Sequence, residues 1–394
     1  MQLIVTGKSI SDGVEKNGAV FAVENGAIVG VGGTELLDAN RSVKPIDLKG
    51  FACLPGFVDI HAHGGSGFDT MDGTRTALNG MSLHKAKEGV TSFMPSTVTA
   101  SGAATESAIS GISEALSIGT DGAKIIGVFL EGPYINPKNK GAHPAEYIRP
   151  IDPVEIFEFA KKCAAKLSPD GRKRTLSVAV APELPGGPEA IGKLAASGIN
   201  VRVGHSSATY SETLESVRLG ANLSIHTYNA MSPLNHREPG MVGAVMDCRD
   251  IYAEIICDMV HVHPAAVRVL VNAKGADKIV MVTDCMRAGG LSDGEYGLGE
   301  MTVYVRGGEA RLADGTLAGS TATVAGCLKN MVNHVGVALC DAVKMATSNP
   351  AKAVGQFDAI GSLDVGKRAD ITAIDAEMNV RFVMADGKIL LDKR

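Results

Sequence analysis

Eight short apolar runs recur between residues 55 and 355: FVDIHAH, TSFMPST, KIIGVFLEG, LSVAVAPE, NVRVGHS, NLSIHTY, IYAEIICD and KIVMVTD. Runs of this length, bounded by turn or helix signals, read as strands buried on both faces. Most are separated by segments with helical patterning, over 74–88, 152–166, 189–197, 210–219 and 263–274. Strands alternating with helices eight times over predict a closed parallel (β/α)₈ barrel of the TIM type. An open doubly wound sheet is the rival, but the Gly-rich dinucleotide turn that it needs is missing after the first run.

The two ends of the chain have a different character. LIVTG, AVFAV, NGAIVGVGG and 43–48 at the start, and ADITAID with NVRFVMADGKIL at the finish, are short β-rich runs; Asn25-Gly26 and Asp386-Gly387 are hairpin signals. They predict one small sheet built from both termini, with segments 1–54 and 356–394 flanking a barrel over 55–355. Residues 291–320 read as a β-rich, Gly-rich excursion over the barrel mouth, before a last helix at 322–334.

The decisive feature is where the polar residues fall. Five of the eight runs end in a ligand or base: His61 with His63, Glu131, His205, His226 and Asp284. All strand C-termini of a barrel meet at one face, so these residues converge there. A buried strand seldom ends in an ionisable group without a partner, because an unpaired buried charge is costly. A divalent metal supplies that partner. His61 and His63 stand at i and i+2 on a strand and point to the same side. Neutral imidazoles and carboxylates suit zinc, iron, manganese or cobalt alike. Glu131 precedes Gly-Pro, a sharp turn; its bland alternative is a pairing with Lys or Arg, as a helix cap is for Asp284 and a hydrogen-bonded core role for His205 or His226. A carboxylate at Asp284 can take a proton from water and pass it to a leaving amine. His143, in KGAH, follows the Glu131 loop and reaches the mouth, where an imidazole can hydrogen-bond a carbonyl as charge builds on its oxygen. His84 and His334 fall in helical segments and read as structural or surface residues; His236 and His263 lie in or beside loops, the latter before Pro264 at a helix start.

Composition excludes other classes. The net charge of −5, with no long Lys/Arg run, argues against nucleic acid or an anionic membrane as partner. No stretch reaches the roughly 18 apolar residues of a membrane helix, and the N-terminus lacks a signal peptide's pattern. Seven scattered Cys without CxxC spacing read as buried thiols of a reducing compartment. The expectation is a soluble cytoplasmic protein.

In order along the chain, PGFVDIHAHG, LEGPY with KGAH, GHS, HTYNAM, REPG, DMVH, VTD, TLAGS and GSLDVGKRADI resemble the amidohydrolase superfamily, and more closely its N-acetylglucosamine-6-phosphate deacetylase family. The resemblance implies a barrel carrying a small β-sandwich made of both termini. It implies hydrolysis of the acetamide of N-acetylglucosamine 6-phosphate to glucosamine 6-phosphate and acetate, in amino-sugar catabolism and cell-wall recycling. Glu131, His205 and His226 would bind the main metal, zinc first among the candidates. Asp284 would be base and acid, and His143 would polarise the acetyl carbonyl. Members that keep both His of HxH can hold two ions, and His61 and His63 are both present here. Substrate contacts map onto Ala142, Asn229, Ala230, Arg237, His261, Leu317, Ala318 and Gly319. Arg237 matches an arginine that homodimers of the family lend to the neighbouring site to grip phosphate. An Arg fork suits phosphate; an ion pair with Glu238 is its bland alternative.

Other amidohydrolases are separated by what is missing. LSVAVAPE offers no lysine for the bridging carbamate of dihydroorotase-like members, and HSSATYSET lacks the early Glu of cytosine-deaminase-like ones. A hydrolase of N-acyl amino acids or an aminopurine deaminase remains as an alternative, and a non-catalytic scaffold as a more distant one.

Overall fold

The computed structural model describes residues 1–164 and 175–394. Each of the eight apolar runs forms a barrel strand: β1 (Phe57–Ala62), β2 (Val90–Thr97), β3 (Gly127–Leu130), β4 (Thr175–Val180), β5 (Asn200–Val203), β6 (Leu223–Ser224), β7 (Tyr252–Ile256) and β8 (Ile279–Val282). Each pairs parallel with the next. Closure comes just past the strand ends, where Ala62 bridges Cys285. There the Asp284 N–H donates to His61 O at 2.9 Å, and the His63 N–H to Cys285 O at 2.8 Å. The seam of the barrel is thus made by the residues that carry the polar constellation.

Alternation along the strands sorts their side chains into two apolar layers. Val58, Ile60, Met94, Phe129, Leu223 and Val282 belong to one cluster inside the barrel. Phe57, Val128, Val178, Val201, Ile255 and Met281 belong to another, packed under the helices.

The predicted helices appear as Arg75–Lys87, Pro153–Ala164, Gly187–Ala196, Tyr210–Arg218 and Pro264–Lys274. Their starts are chemically marked. Thr74 accepts from the Ala77 N–H, Thr209 and Glu212 form a reciprocal capping box, and His263 accepts from the Ala265 N–H ahead of Pro264. Residues 165 and 166 of the expected 152–166 helix lie outside the described residues. The expected last helix is Val324–Asn330, continued by a wider turn over Met331–Val335. Gly102–Ile118 and Gly240–Asp247 are helices that the sequence pattern does not predict. They are rich in Gly, Ala and Ser or nearly all apolar, so neither carries a clear stripe of period 3.6.

Strands from both termini join one eight-stranded sheet. Its order is Lys388–Asp392, Val380–Ala385, Ile371–Ile374, Ile46–Pro55, Gln2–Ser11, Val20–Glu24 and Ala27–Gly32, with Val14–Asn17 also paired to Gln2–Ser11. Both predicted hairpin turns have positive φ at their two central residues, 50° and 79° at Asn25-Gly26 and 53° and 72° at Asp386-Gly387. The sheet buries its own cluster, including Ile4, Phe21, Leu48 and Phe382. It is tied to the barrel where Asp370 accepts from the Thr91 hydroxyl at 2.9 Å and Arg368 donates to Thr91 O at 3.3 Å. The 291–320 excursion contains a three-stranded antiparallel sheet, Gly294–Leu298, Met301–Arg306 and Glu309–Arg311. No helix among the described residues is long and apolar enough to cross a membrane.

Candidate active site

A cavity of about 200 Å³ opens at the C-terminal ends of the strands. Of the residues singled out from sequence, His63, Glu131, Ala142, His143, His205, His226, Asn229, Ala230, His261, Asp284, Leu317 and Gly319 line it. His61 lies fully buried beneath, and Ala318 is buried in the apolar cluster of the excursion. Arg237 is exposed and does not line the cavity. Gly141 of KGAH and Thr316 of TLAGS complete the wall with Val98, Ile256 and Leu298, and no sequence motif singles out these last three for it.

Glu131 is the hub. Its Oε2 lies 2.8 Å from His63 Nε2 and 3.3 Å from His61 Nε2, and Asp284 Oδ1 approaches the same nitrogens at 3.1 and 3.5 Å. Its Oε1 lies 2.9 Å from His226 Nε2 and 3.2 Å from His205 Nε2. Two ligand sets therefore share one carboxylate: His61, His63, Glu131 and Asp284 on one side, and Glu131, His205 and His226 on the other.

The partners of the opposite ring nitrogens decide what this set can hold. His63 Nδ1–H donates to Ser96 O at 3.2 Å, and His205 Nδ1–H to Asn139 O at 2.7 Å. His61 Nδ1 faces the Glu254 carboxylate at 3.0 Å. With those protons committed, the neutral rings aim bare Nε2 lone pairs at Glu131. His205 Nε2 and His226 Nε2 are 3.1 Å apart. The buried His61 Nε2 and Asp284 Oδ1 have no hydrogen bond. Acceptors turned on acceptors in a buried space call for a cation, and imidazole with carboxylate is a zinc-type donor set. The residues fit a divalent metal.

Electrostatics agree. Burial pushes the His63 pKa down, but Asp284 and Glu131 overcome it and raise it to about 9. Burial pushes Asp284 up, but His61 and His63 bring it to about 2. The carboxylates thus draw positive charge into the cluster, protons where no metal supplies it. His143 behaves differently: burial, helped by His205, lowers it to about 3. The Thr99 N–H donates to its Nδ1 at 3.2 Å, and the Thr99 hydroxyl is 2.7 Å away. The proton of the neutral ring then sits on Nε2, 3.8 Å from Glu131 Oε2. Gly132 makes this approach feasible, because a Cβ there would meet Thr99 Oγ1 at 1.9 Å. On the far wall, His261 Nδ1 pairs with Asp258 Oδ2 at 2.7 Å.

The backbone is strained where the ligands sit. His205, His226 and Asp284 have φ of 46°, 27° and 51°, in the left-handed region that non-Gly residues avoid. Such outliers cluster at functional sites because the surrounding structure has to enforce them.

Known proteins resemble the chain throughout. Residues 52–390 match the amidohydrolase family. The N-acetylgalactosamine-6-phosphate deacetylase of Escherichia coli O157:H7 is 40% identical over 85% of this chain and 86% of its own length. The N-acetylglucosamine-6-phosphate deacetylase of Vibrio furnissii is 37% identical over 96% and 92%. A mutant N-acetyl-D-glucosamine-6-phosphate deacetylase from Mycobacterium smegmatis, solved in complex with N-acetyl-D-glucosamine-6-phosphate, superposes with a TM-score of 0.89. It is 30% identical, over 99% of each chain. The chain belongs to the amidohydrolase family and, within it, to the N-acetylglucosamine-6-phosphate deacetylases.

Proposed function

We infer that this chain hydrolyses the acetamide of N-acetylglucosamine 6-phosphate, releasing acetate and glucosamine 6-phosphate. The observation that carries the reading is the convergence of His61, His63, His205, His226 and Asp284 on one buried glutamate, at the end of the barrel where such chemistry is built. Glu131, His205 and His226 would hold the main ion, and His61 and His63 a second one beside Glu131 and Asp284. Zinc suits these donors first; iron, manganese and cobalt are compatible with them. A divalent ion supplies positive charge that polarises an amide carbonyl and lowers the pKa of water.

The remaining work falls to side chains. Asp284 Oδ takes the proton of the attacking water and returns it to the amine as the C–N bond breaks. His143 donates its Nε2–H to the acetyl oxygen as negative charge develops there, with Thr99 keeping Nδ1 an acceptor. Ala142, Asn229, Ala230, His261, Leu317, Ala318 and Gly319 supply the sugar-binding wall and its backing. Arg237, exposed on its own chain, reaches the neighbouring subunit of a homodimer and grips the phosphate there. The compartment that suits seven free thiols is the cytoplasm.

A second reading concerns the sugar. The 40% identical relative is named for the galactosamine epimer, so an N-acetylgalactosamine 6-phosphate substrate has support of its own. Acetate release from both phosphorylated epimers and from unphosphorylated N-acetylglucosamine, with and without chelator, tests both readings. Chelator-sensitive release confined to the phosphorylated sugars is expected, with the ratio of kcat/KM values assigning the epimer. Silence on both, or equal turnover of the unphosphorylated sugar, defeats the assignment.

A further inference from the structure

Beneath the ligand set lie two fully buried charged side chains, Arg202 on β5 and Glu254 on β7. Arg202 donates through Nη1 to Glu254 Oε1 at 2.8 Å and to Ile60 O at 3.0 Å, and through Nη2 to Ser177 Oγ at 3.0 Å. Its guanidinium stacks on Phe129, 4.0 Å from the ring centroid. The other carboxylate oxygen, Glu254 Oε2, accepts from His61 Nδ1–H at 3.0 Å and from the His226 backbone N–H at 3.3 Å. One carboxylate thus touches a member of each half of the cluster.

Stability does not account for this pair. Barrel interiors are filled by branched apolar side chains, as Val58, Ile60 and Leu223 do here. Replacing a buried ion pair by apolar residues of like volume is often neutral or stabilising. The contact to His61 has a chemical consequence instead. A carboxylate on Nδ1 holds the ring proton there and leaves Nε2 a bare acceptor, 3.3 Å from Glu131 Oε2. The contact to the His226 N–H supports a main chain held at a φ of 27°. Arg202 occupies the second oxygen of Glu254, so Oε2 has one orientation.

We propose that Glu254, held by Arg202, is a positioning residue for the metal cluster, fixing the tautomer of His61 and the backbone of His226 at once. The proposal rests on the metal-holding reading given above. Two variants test it. Glu254→Asp keeps the charge opposite Arg202 but withdraws the carboxylate from His61 by about 1.5 Å, one C–C bond. Arg202→Met combined with Glu254→Gln removes both charges together. In either folded variant, zinc affinity measured against a chromophoric chelator should fall about 10–100-fold, while the unfolding temperature of the metal-free protein changes little. A purely structural role would lower that temperature and leave the zinc affinity of the folded molecules intact, and this overturns the proposal. Histidine-selective ¹⁵N spectra of the zinc-loaded wild-type chain, with His61 assigned through His61→Asn, give a test that needs no folded variant at Glu254. A His61 proton on Nδ1 is expected; one on Nε2 overturns the proposal. A wild-type chain that binds no zinc, manganese or cobalt defeats the metal-holding reading instead.

Discussion

Asp284 and Arg237 both stand on segments that follow barrel strands, yet the fold treats them differently. At Asp284 the conformation is fixed from several sides: its N–H is bonded to His61 O, its carbonyl accepts from the Ser320 N–H at 2.8 Å, and its carboxylate faces His61 and His63. Arg237 is exposed and makes no hydrogen bond or ion pair with the described residues. Even the adjacent Glu238 is occupied by the N–H groups of Tyr210 and Gly240. The bond-breaking half of the proposed chemistry is therefore completed by barrel closure within one chain. The phosphate grip proposed for Arg237 owes nothing to that closure, which leaves the side chain free for the proposed role in a neighbouring subunit.

Removing the cation should have the largest effect of any single change. Dialysis against a strong chelator should lower turnover roughly 10⁴-fold, since several kcal/mol of transition-state stabilisation come from the metal. Zinc, manganese or cobalt should restore it. Full activity in metal-free protein would leave the acceptor cluster around Glu131 without a role. Asp284→Asn comes next, with an expected loss of about 10²–10⁴-fold in kcat. At least one ion per chain should remain, held by Glu131, His205 and His226. Normal turnover in that variant eliminates Asp284 as the proton carrier.

The same physical rule separates the residues that are legible in the sequence from those that are not. A charged residue closing an apolar run announces a partner elsewhere, so Glu131, His205, His226 and Asp284 stand out from the sequence alone. Arg202 in NVRVGHS and Glu254 in IYAEIICD obey that rule too, but from inside their strands. A single charge there also fits a position turned towards solvent, so the pair becomes visible only once both prove buried. Lys85, buried against Asp59 at 2.9 Å, hides for another reason: on a helix a lysine reads as a solvated face. The strands are legible because a run buried on both faces is continuous in sequence. Gly102–Ile118 is not, because a helix built largely of Ala, Ser and Gly leaves its buried face without contrast. Thr99 gives no signal either, since it acts on His143 partly through a backbone N–H that any residue but proline would offer.

Between the two extremes stands His143, buried, with a proposed role on the substrate and not in the cluster. His143→Gln should lower kcat about 10²–10³-fold, the scale of losing one donor to a developing oxyanion. Burial already pulls its pKa to about 3, and a cation nearby pushes the same way. The ring is then neutral throughout the physiological range, so an acid limb of activity above about pH 4 belongs to another group and should persist in the variant. Stability carries the matching sign. The unfolded chain takes up this proton as pH falls through about 6.5, while the folded chain refuses it until about 3, so the ring destabilises the fold increasingly across that window. His143→Gln should lose less stability than wild type between about pH 7 and pH 4, measured by denaturant titration at each pH; a larger loss would contradict the neutral assignment.

Arg237→Ala should have the smallest effect and the most selective one. A hydrogen bond between charged groups contributes about 1.5–3 kcal/mol, which corresponds to a rise of roughly 10–100-fold in KM for the phosphorylated sugar. The phosphate is remote from the C–N bond, so kcat should stay near wild type and the unphosphorylated sugar should be handled as before. Because the side chain has no partner among the described residues of its own chain, the unfolding temperature of the isolated chain should not move. The sharper form of the experiment mixes inactive Asp284→Asn chains with Arg237→Ala chains. If Arg237 serves the neighbouring site, heterodimers regain a phosphate grip on the subunit whose Asp284 is intact, and the low-KM activity returns as they form. If Arg237 serves its own site, mixing restores nothing, and the two halves of the chemistry belong to one chain after all.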